Sequence, residues 1–335
     1  MTSRRRFLSI LATCAAAASP AFARGAAASP ALSTWRGIAM GALASMTLVH
    51  PDRARARAQI RNCVLEIARL ETILSLYRSD SAISRLNAAG ELHAPAPELV
   101  ELLSFGLSLS RASGGAFDPT VQPLYRLYAD HFAVPGASAR GPSPAAIARV
   151  LRSVDFAAVE VRADRIRLRR PGMAITLNGI AQGFVTDRIT ELLRAAGFDN
   201  VLVDLGEARA LGHRPDGTAW RASLSDPRNP DRTLLDVRLG GHPAGMDALA
   251  TSAGHGTRFG PDPGIHHLLD PHTGSSANHY LSVSVAARRA TLADGLSTTL
   301  SLLPPERARA LLTRYPSTRA YLVDAAGRIA VHGRA

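Results

Sequence analysis

Near the end of the chain, "TLADGLSTTLSLL" (residues 291–303) places Asp294, Ser297 and Thr298 within about one helical turn of an otherwise largely apolar run. Residues three and four apart share a helix face, so three oxygen-bearing side chains can converge there. Hard oxygen donors of this kind suit Mg2+ or Ca2+ better than a softer metal. Three are too few for a closed cage; a backbone carbonyl, water and a substrate phosphate would have to complete the shell. The same aspartate also reads as a plain helix N-cap. Upstream, "HHLLDPHTG" (266–274) opens with two adjacent histidines. An imidazole titrating near neutrality is the usual general base for a hydroxyl nucleophile. Neighbours on a strand point to opposite faces, so only one of His266 and His267 should face a given site, which argues against joint metal ligation. Asp270, before Pro271, reads as an Asx-type turn.

Three further stretches could approach a ligand. "ASGGAFDPTVQPL" (112–124) is stiffened by prolines, while Gly114-Gly115 would let backbone come close to a bound molecule. Phe117 offers a flat face and Asp118 an acceptor, although the segment also reads as an ordinary helix-to-strand loop. In "LYRSDSAISRLN" (76–87), Tyr77 could stack on a planar ring and still hydrogen-bond, or could be a core-edge residue at a helix end. "LNGIAQGFVTD" (177–187) reads as strand, turn and helix, with Gly179 and Gly183 at the junction. It lacks the GxGxxG spacing of a dinucleotide fold. "GHGTRFG" (254–260) is not followed by a strong helix, which argues against a P-loop.

The elements that must position these residues alternate between two periodicities. Apolar residues at Ile60, Val64, Ile67, Leu70, Leu74 and Tyr77 predict a helix from Asp52 to Tyr77, and further helices start at Pro97 and at Ser143-Pro144. "VEVRADRIRLRR" and "YLVDAAGRIAVHG" read as hairpins, "MAITL", "VLVDL" and "YLSVSVAA" as strands, and "IAQGFVTDRITELLRAAG" as a helix stopping at Gly197. The expected fold class is α+β: mixed, largely antiparallel sheets with packed helices in a single complex domain spanning 35–335. Residues 1–23 read as a twin-arginine signal, with Arg4-Arg5 ahead of a short apolar run and Ala21-Phe22-Ala23 as the cleavage signature. Residues 24–34, rich in Ala, Ser and Pro, read as a flexible lead-in. Export of a folded protein to the periplasm follows from that signal.

The formal net charge of +12 is carried by arginine alone, as the chain has no lysine. Basic runs such as "DRARARAQIR" lack the interleaved aromatics of a single-strand binder, so the charge reads as a solvated surface and nucleic acid is not the expected partner. Cys63 would be the one cysteine left after signal removal, which excludes an internal disulfide and thiolate metal chemistry.

In order along the chain, "SLYRSDSAISRLN", "SGGAFDPTVQPL", "LNGIAQGFVTDR", "VLVDLGEARALG", "ATSAGHGTRF", "HHLLDPHTG" and "ADGLSTTLSLLP" resemble the ApbE family of FAD:protein FMN transferases. The "NGIAQG" and "VDLGEARALG" wording is most similar to the branch associated with maturation of the nitrous-oxide reduction system. The resemblance implies Mg2+-dependent transfer of FMN from FAD to a threonine or serine of a target flavoprotein domain, which could be membrane-anchored, with release of AMP. It implies that Met40, Tyr77, Ala116, Phe117, Asp118, Gln182 and Leu269 hold FAD, and that Gly179, through its carbonyl, joins Asp294, Thr298 and Ser297 around Mg2+. His267 falls where the family has its candidate base. Departures are Gln182 where Lys or Glu is frequent, Thr176 where Asp is frequent, a shortened "LGEARALG", and Gly295 for Ala. A periplasmic FAD pyrophosphatase and a non-enzymatic FAD carrier are the alternatives.

Overall fold

The computed structural model describes residues 31–241 and 245–333; the twin-arginine signal reading lies outside them. The described chain opens with a hairpin, β1 (Leu32–Ala39) and β2 (Ala42–Val49), followed by α1 (Arg53–Leu74) and α2 (Ala82–Ala89). Next come β3 (Glu91–His93), α3 (Pro97–Ser113), α4 (Gln122–Ala133), α5 (Pro144–Leu151), β4 (Val159–Val161) and β5 (Arg165–Leu168). Then follow α6 (Ala181–Ala195), β6 (Val201–Asp204), β7 (Ala208–Leu211), β8 (Trp220–Asp226), β9 (Asn229–Leu239) and β10 (Ala248–Ser252). The chain closes with β11 (Ser282–Ala287), α7 (Ala290–Ser301), α8 (Pro305–Leu312), β12 (Arg319–Val323) and β13 (Ile329–Gly333).

One eight-stranded sheet, ordered β1-β2-β6-β7-β10-β11-β12-β13, organises the molecule, and its neighbours all pair antiparallel. Its central strands are covered on both faces, which is why "VLVD" carries no polar alternation. Val201 and Val203 point into the main core with α1, α6 and α7, while Leu202 packs with Trp220, Leu224 and Val237 of the β8–β9 hairpin. The α+β, largely antiparallel architecture matches the expectation from sequence.

Local differences have identifiable causes. β1 starts at Leu32, inside the stretch expected as lead-in, because Leu32 to Ala39 pairs in register with β2. Helix α1 is capped by Asp52, whose side chain accepts from the Arg55 N–H, but it ends at Leu74 and leaves Tyr77 in the following turn. "MAITL" forms no strand: the Ile175 N–H donates to Asn87 Oδ1 at 2.6 Å and its carbonyl accepts from Asn87 Nδ2 at 2.8 Å. An amide side chain thus takes the place of a neighbouring strand. Gly295 sits inside α7, where an added Cβ would meet Leu109 Cδ2 at 2.8 Å and Phe105 Cε1 at 3.2 Å. The helix-propensity gain of about 1 kcal/mol for alanine is therefore opposed by close packing of α3 on α7.

Candidate active site

The residues singled out for chemistry come from distant parts of the chain, and most line one cavity of about 380 Å³. One wall begins at the β1–β2 turn. Met40 and Gly41 have φ of 49° and 80°, the two positive values that a two-residue hairpin turn of this kind requires. Glycine meets that demand freely, whereas Met40 bears a cost of about 1 kcal/mol. Its amide is tied down by a 2.7 Å bond to Glu71 Oε1. Tyr77, 57 % exposed, closes over this turn, its ring 3.5 Å from where a Cβ on Gly41 would lie. Met40→Gly should leave the melting temperature unchanged or slightly raised, as read by thermal melts, because glycine adopts this positive φ without strain.

The Gly114-Gly115 pair terminates α3 with both residues at positive φ, and the Gly115 N–H reaches back to the Ser110 carbonyl at 2.8 Å. The loop that follows brings Ala116, Phe117 and Asp118 to the cavity. Phe117 is only 5 % exposed, so most of its face belongs to the core rather than to a ligand. Asp118 does act as an acceptor, but of hydrogen bonds from within the chain. Its Oδ1 accepts from the Thr120 N–H and hydroxyl, at 2.7 and 2.6 Å, and its Oδ2 accepts from the Phe156 N–H at 3.1 Å. Burial pushes this carboxyl up from its ordinary range against those bonds. Asp118 therefore stiffens the loop that presents its neighbours.

Across the cavity lie Gly179, Gln182, Asp294 and Thr298. The N-cap reading of Asp294 is overturned. Helix α7 begins at Ala290 behind Arg289, which makes no side-chain cap, and Asp294 lies one turn inside. Its carboxylate is 4 % exposed and accepts from the Gly183 N–H of α6 at 3.0 Å. No arginine forms an ion pair with it among the described residues. Burial, outweighing the Gly183 bond, and the nearby Asp187 charge push it up to about 7. Thr298 Oγ1 donates to the Gly179 carbonyl at 3.5 Å and lies 3.1 Å from Ser252 Oγ. Ser297 is fully buried and does not line the cavity; its hydroxyl donates to the Asp294 carbonyl at 3.0 Å and pairs with Ser252 at 2.8 Å. Ser297 thus backs the site instead of facing it.

The remaining wall carries the histidines. His267 faces the cavity and His266 does not, in keeping with the alternation expected of neighbours. His266 is 3 % exposed: its Nδ1 accepts from the Leu268 N–H, which leaves Nε2–H to donate to Asn278 Oδ1 at 3.2 Å. His267 Nδ1 faces the Thr257 carbonyl at 3.2 Å. A carbonyl only accepts, so this bond puts the neutral ring's proton on Nδ1 and leaves the Nε2 lone pair available. Removal from water, together with repulsion from His266 and His255, pushes His267 down to about 4 even though the Thr257 carbonyl favours the cation. Leu269, 3 % exposed, packs with Leu124 and Tyr128 while lining the cavity, and Asp270 accepts from the His272 N–H in the expected Asx turn.

Sequence reasoning missed four residues here. Ser252 bridges Ser297 and Thr298, and His255 joins His267 on the cavity wall. Glu207 is 6 % exposed beside the cavity; one oxygen accepts from the Thr251 N–H at 3.1 Å. Burial and the charges of Asp294 and Asp204 push Glu207 well above the usual carboxylate range. Asp187 lies behind Asp294 at the α6–α7 contact. The signal for the last two was present, since "GEARA" and "VTDRI" each set an acid and an arginine among mostly small or apolar residues, and a buried charge needs a partner.

The α6–α7 contact depends on Gly183. A Cβ there would collide with the Ala290 carbonyl oxygen and lie 2.8 Å from Asp294 Cβ. Alanine would gain about 1 kcal/mol in helix propensity, against roughly 1–3 kcal/mol or more for overpacking on backbone that cannot swing away. Gly183→Ala should therefore lower the denaturation midpoint and the activity together.

Hard oxygens fit a cation such as Mg2+: the buried Asp294 carboxylate has no positive partner among the described residues, and Thr298 and Gly179, themselves joined by a hydrogen bond, line the same cavity. Among the described residues, no group of three or more His, Cys, Asp or Glu is arranged to hold a metal ion.

Comparison with known proteins adds an independent line. Residues 40–333 match the ApbE family. A protein of Treponema pallidum (strain Nichols) named FAD:protein FMN transferase is 32% identical over 298 residues, covering 81% of this chain and 78% of its own length. A protein of the same name from Salmonella typhimurium is 28% identical, with 86% and 83% covered. Among solved structures, the apo form of the Pseudomonas stutzeri flavinyl transferase ApbE matches with a TM-score of 0.77 at 28% identity, covering 92% of this chain and 96% of that one.

Proposed function

The chain belongs to the ApbE family, and from that premise we propose that it is an FAD:protein FMN transferase whose acceptor is a threonine or serine hydroxyl. The single observation that carries the mechanism is the shared cavity, with a neutral His267 on one wall and, on another, a buried Asp294 that forms no ion pair among the described residues. His267 Nε2 takes the proton of the acceptor hydroxyl as its oxygen bonds to the FMN-side phosphorus of FAD. The bond from that phosphorus to the bridging oxygen breaks, and AMP leaves with the electron pair. Asp294, Thr298 and the Gly179 carbonyl would hold Mg2+, which supplies charge neutralisation at the pyrophosphate when bound. Ser252, itself paired with Ser297, hydrogen-bonds the Thr298 hydroxyl and orients it. Met40, Tyr77, Ala116, Gln182 and Leu269 shape the space that FAD would fill, and a mostly buried Phe117 backs it.

The test is incubation with FAD, Mg2+ and a flavoprotein domain, read by in-gel flavin fluorescence and by AMP release. The branch suggested by "NGIAQG" makes a flavoprotein of nitrous-oxide reduction the first acceptor to try. Covalent fluorescence with AMP in equal amount is the expected result. Free FMN and AMP without labelling would identify a pyrophosphatase, and intact bound FAD a carrier. Export to the periplasm through the Arg4-Arg5 signal belongs to the same proposal, and fractionation of cells carrying Arg4→Gln and Arg5→Gln checks it.

A further inference from the structure

The geometry points to Asp187 as the positioning residue that sets where the Asp294 carboxylate stands, a step that rests on the cation reading above. Asp187 belongs to α6, yet it caps α7. Its Oδ1 accepts from the Ala290 N–H at 2.9 Å, and its Oδ2 accepts from the Thr291 N–H at 3.0 Å and the Thr291 hydroxyl at 2.6 Å. The residue before α7 is Arg289, which provides no cap of its own. The first turn of the helix is thus satisfied from 103 residues away.

One turn along, the relation is reversed. Asp294 of α7 accepts from Gly183 N–H of α6. Each helix therefore gives a carboxylate to the other, and the two bonds sit about one turn apart on both helices. Sliding α7 along α6 would strain both brackets, and Gly183 lets the helices touch closely enough for either to form.

The charges are divided unequally between the two aspartates. Asp187, with a side chain 1 % exposed, is paired with buried Arg209 at 2.7 Å and with Arg289 at 3.4 Å. Arg209 also reaches Glu191 at 3.3 Å. The arginines at this junction are committed to Asp187, and none pairs with Asp294. A local Ser, Thr or Asp at the N-cap would satisfy α7 without burying an ion pair, and such pairs are weak sources of net stability. What the cluster supplies is a fixed registry: one carboxylate neutralised and immobile, the other held in place and left for a cation.

The experiment uses Mn2+ titrated into the full chain saturated with FAD, with free Mn2+ read by electron paramagnetic resonance. Asp187→Asn keeps the shape but gives up acceptor capacity, and its Mn2+ dissociation constant should rise about tenfold or more, as for other residues that orient metal ligands. Thr291→Val, nearly isosteric, removes one donor and should raise it about threefold. In transfer assays the Mg2+ concentration for half-maximal rate should shift in parallel, with kcat largely recovered at saturating Mg2+. Asp294→Asn marks complete loss of the site. Folded Asp187→Asn protein that binds Mn2+ as tightly as the wild type, whatever its melting temperature, overturns the inference. If that variant does not fold, Thr291→Val decides: unchanged affinity overturns the inference and the threefold loss supports it. If the wild-type chain binds no Mn2+, the cation reading itself is wrong and this inference falls with it.

Discussion

Asp294→Asn should reduce flavin transfer at least about a hundredfold and at the same time raise the melting temperature of the metal-free protein. The two effects share one cause. The carboxylate is buried, accepts from the Gly183 N–H and has no arginine or histidine to pair with it among the described residues. Without a cation, such a charge destabilises the native state, because burial strips its water and returns only one hydrogen bond. The Asn carbonyl oxygen can still accept from Gly183, so the α6–α7 bracket survives while the charge is gone. Mg2+ with FAD should raise the melting temperature of the wild-type protein, since a ligand at a hundred times its dissociation constant contributes about 2.7 kcal/mol. The Asn variant should lose the Mg2+-dependent part of that rise. Differential scanning calorimetry with and without Mg2+ reads all of this. A variant less stable than the wild type in the absence of metal would mean that Asp294 serves the fold; full transfer activity would remove it from the cation site.

What the sequence disclosed depended on whether a residue's partners were near it in the chain. The stripe through Ile60, Ile67, Leu70 and Leu74 announced α1 because a helix repeats its contacts locally, and Asp52 announced its start for the same reason. The alternative N-cap reading of Asp294 fails because the true capping carboxylate, Asp187, reaches across from another helix. "MAITL" looked like a strand because apolar runs carry no record of whether their hydrogen bonds go to backbone or to Asn87. Glu207 becomes a cavity residue only once the sheet order sets β7 beside β10, which brings the Thr251 N–H to it. Asp118 shows the converse limit: its place at the cavity was legible from "GGAFDP", but not that Thr120 and Phe156 would occupy both of its oxygens.

His267→Gln should cost transfer roughly 10²–10⁴-fold while leaving FAD and Mg2+ binding nearly intact, and the pH profile should identify the group responsible. With His267 pushed down to about 4 from an ordinary 6.5, the free enzyme keeps a neutral base across mildly acidic conditions. At saturating Mg2+, where Asp294 would be held ionised by the cation, the acid limb of kcat/KM, which reports the enzyme free of FAD and acceptor, should therefore fall below pH 5 and not near 6.5. The limb of kcat should lie higher, because bound pyrophosphate oxygens favour the imidazolium and the desolvated ring responds to any nearby anion. Stability carries the same signature. Between pH 6.5 and about 4 the unfolded chain takes up a proton at residue 267 that the native chain does not, so native stability falls as pH falls through that window. Glutamine has no such proton, and denaturant melts of His267→Gln should show a shallower loss across the same range. A kcat/KM limb near 6.5 that persists in the Gln variant would assign the titration to another group; Asp294, across the same cavity and pushed up to about 7 by burial, is the next to replace.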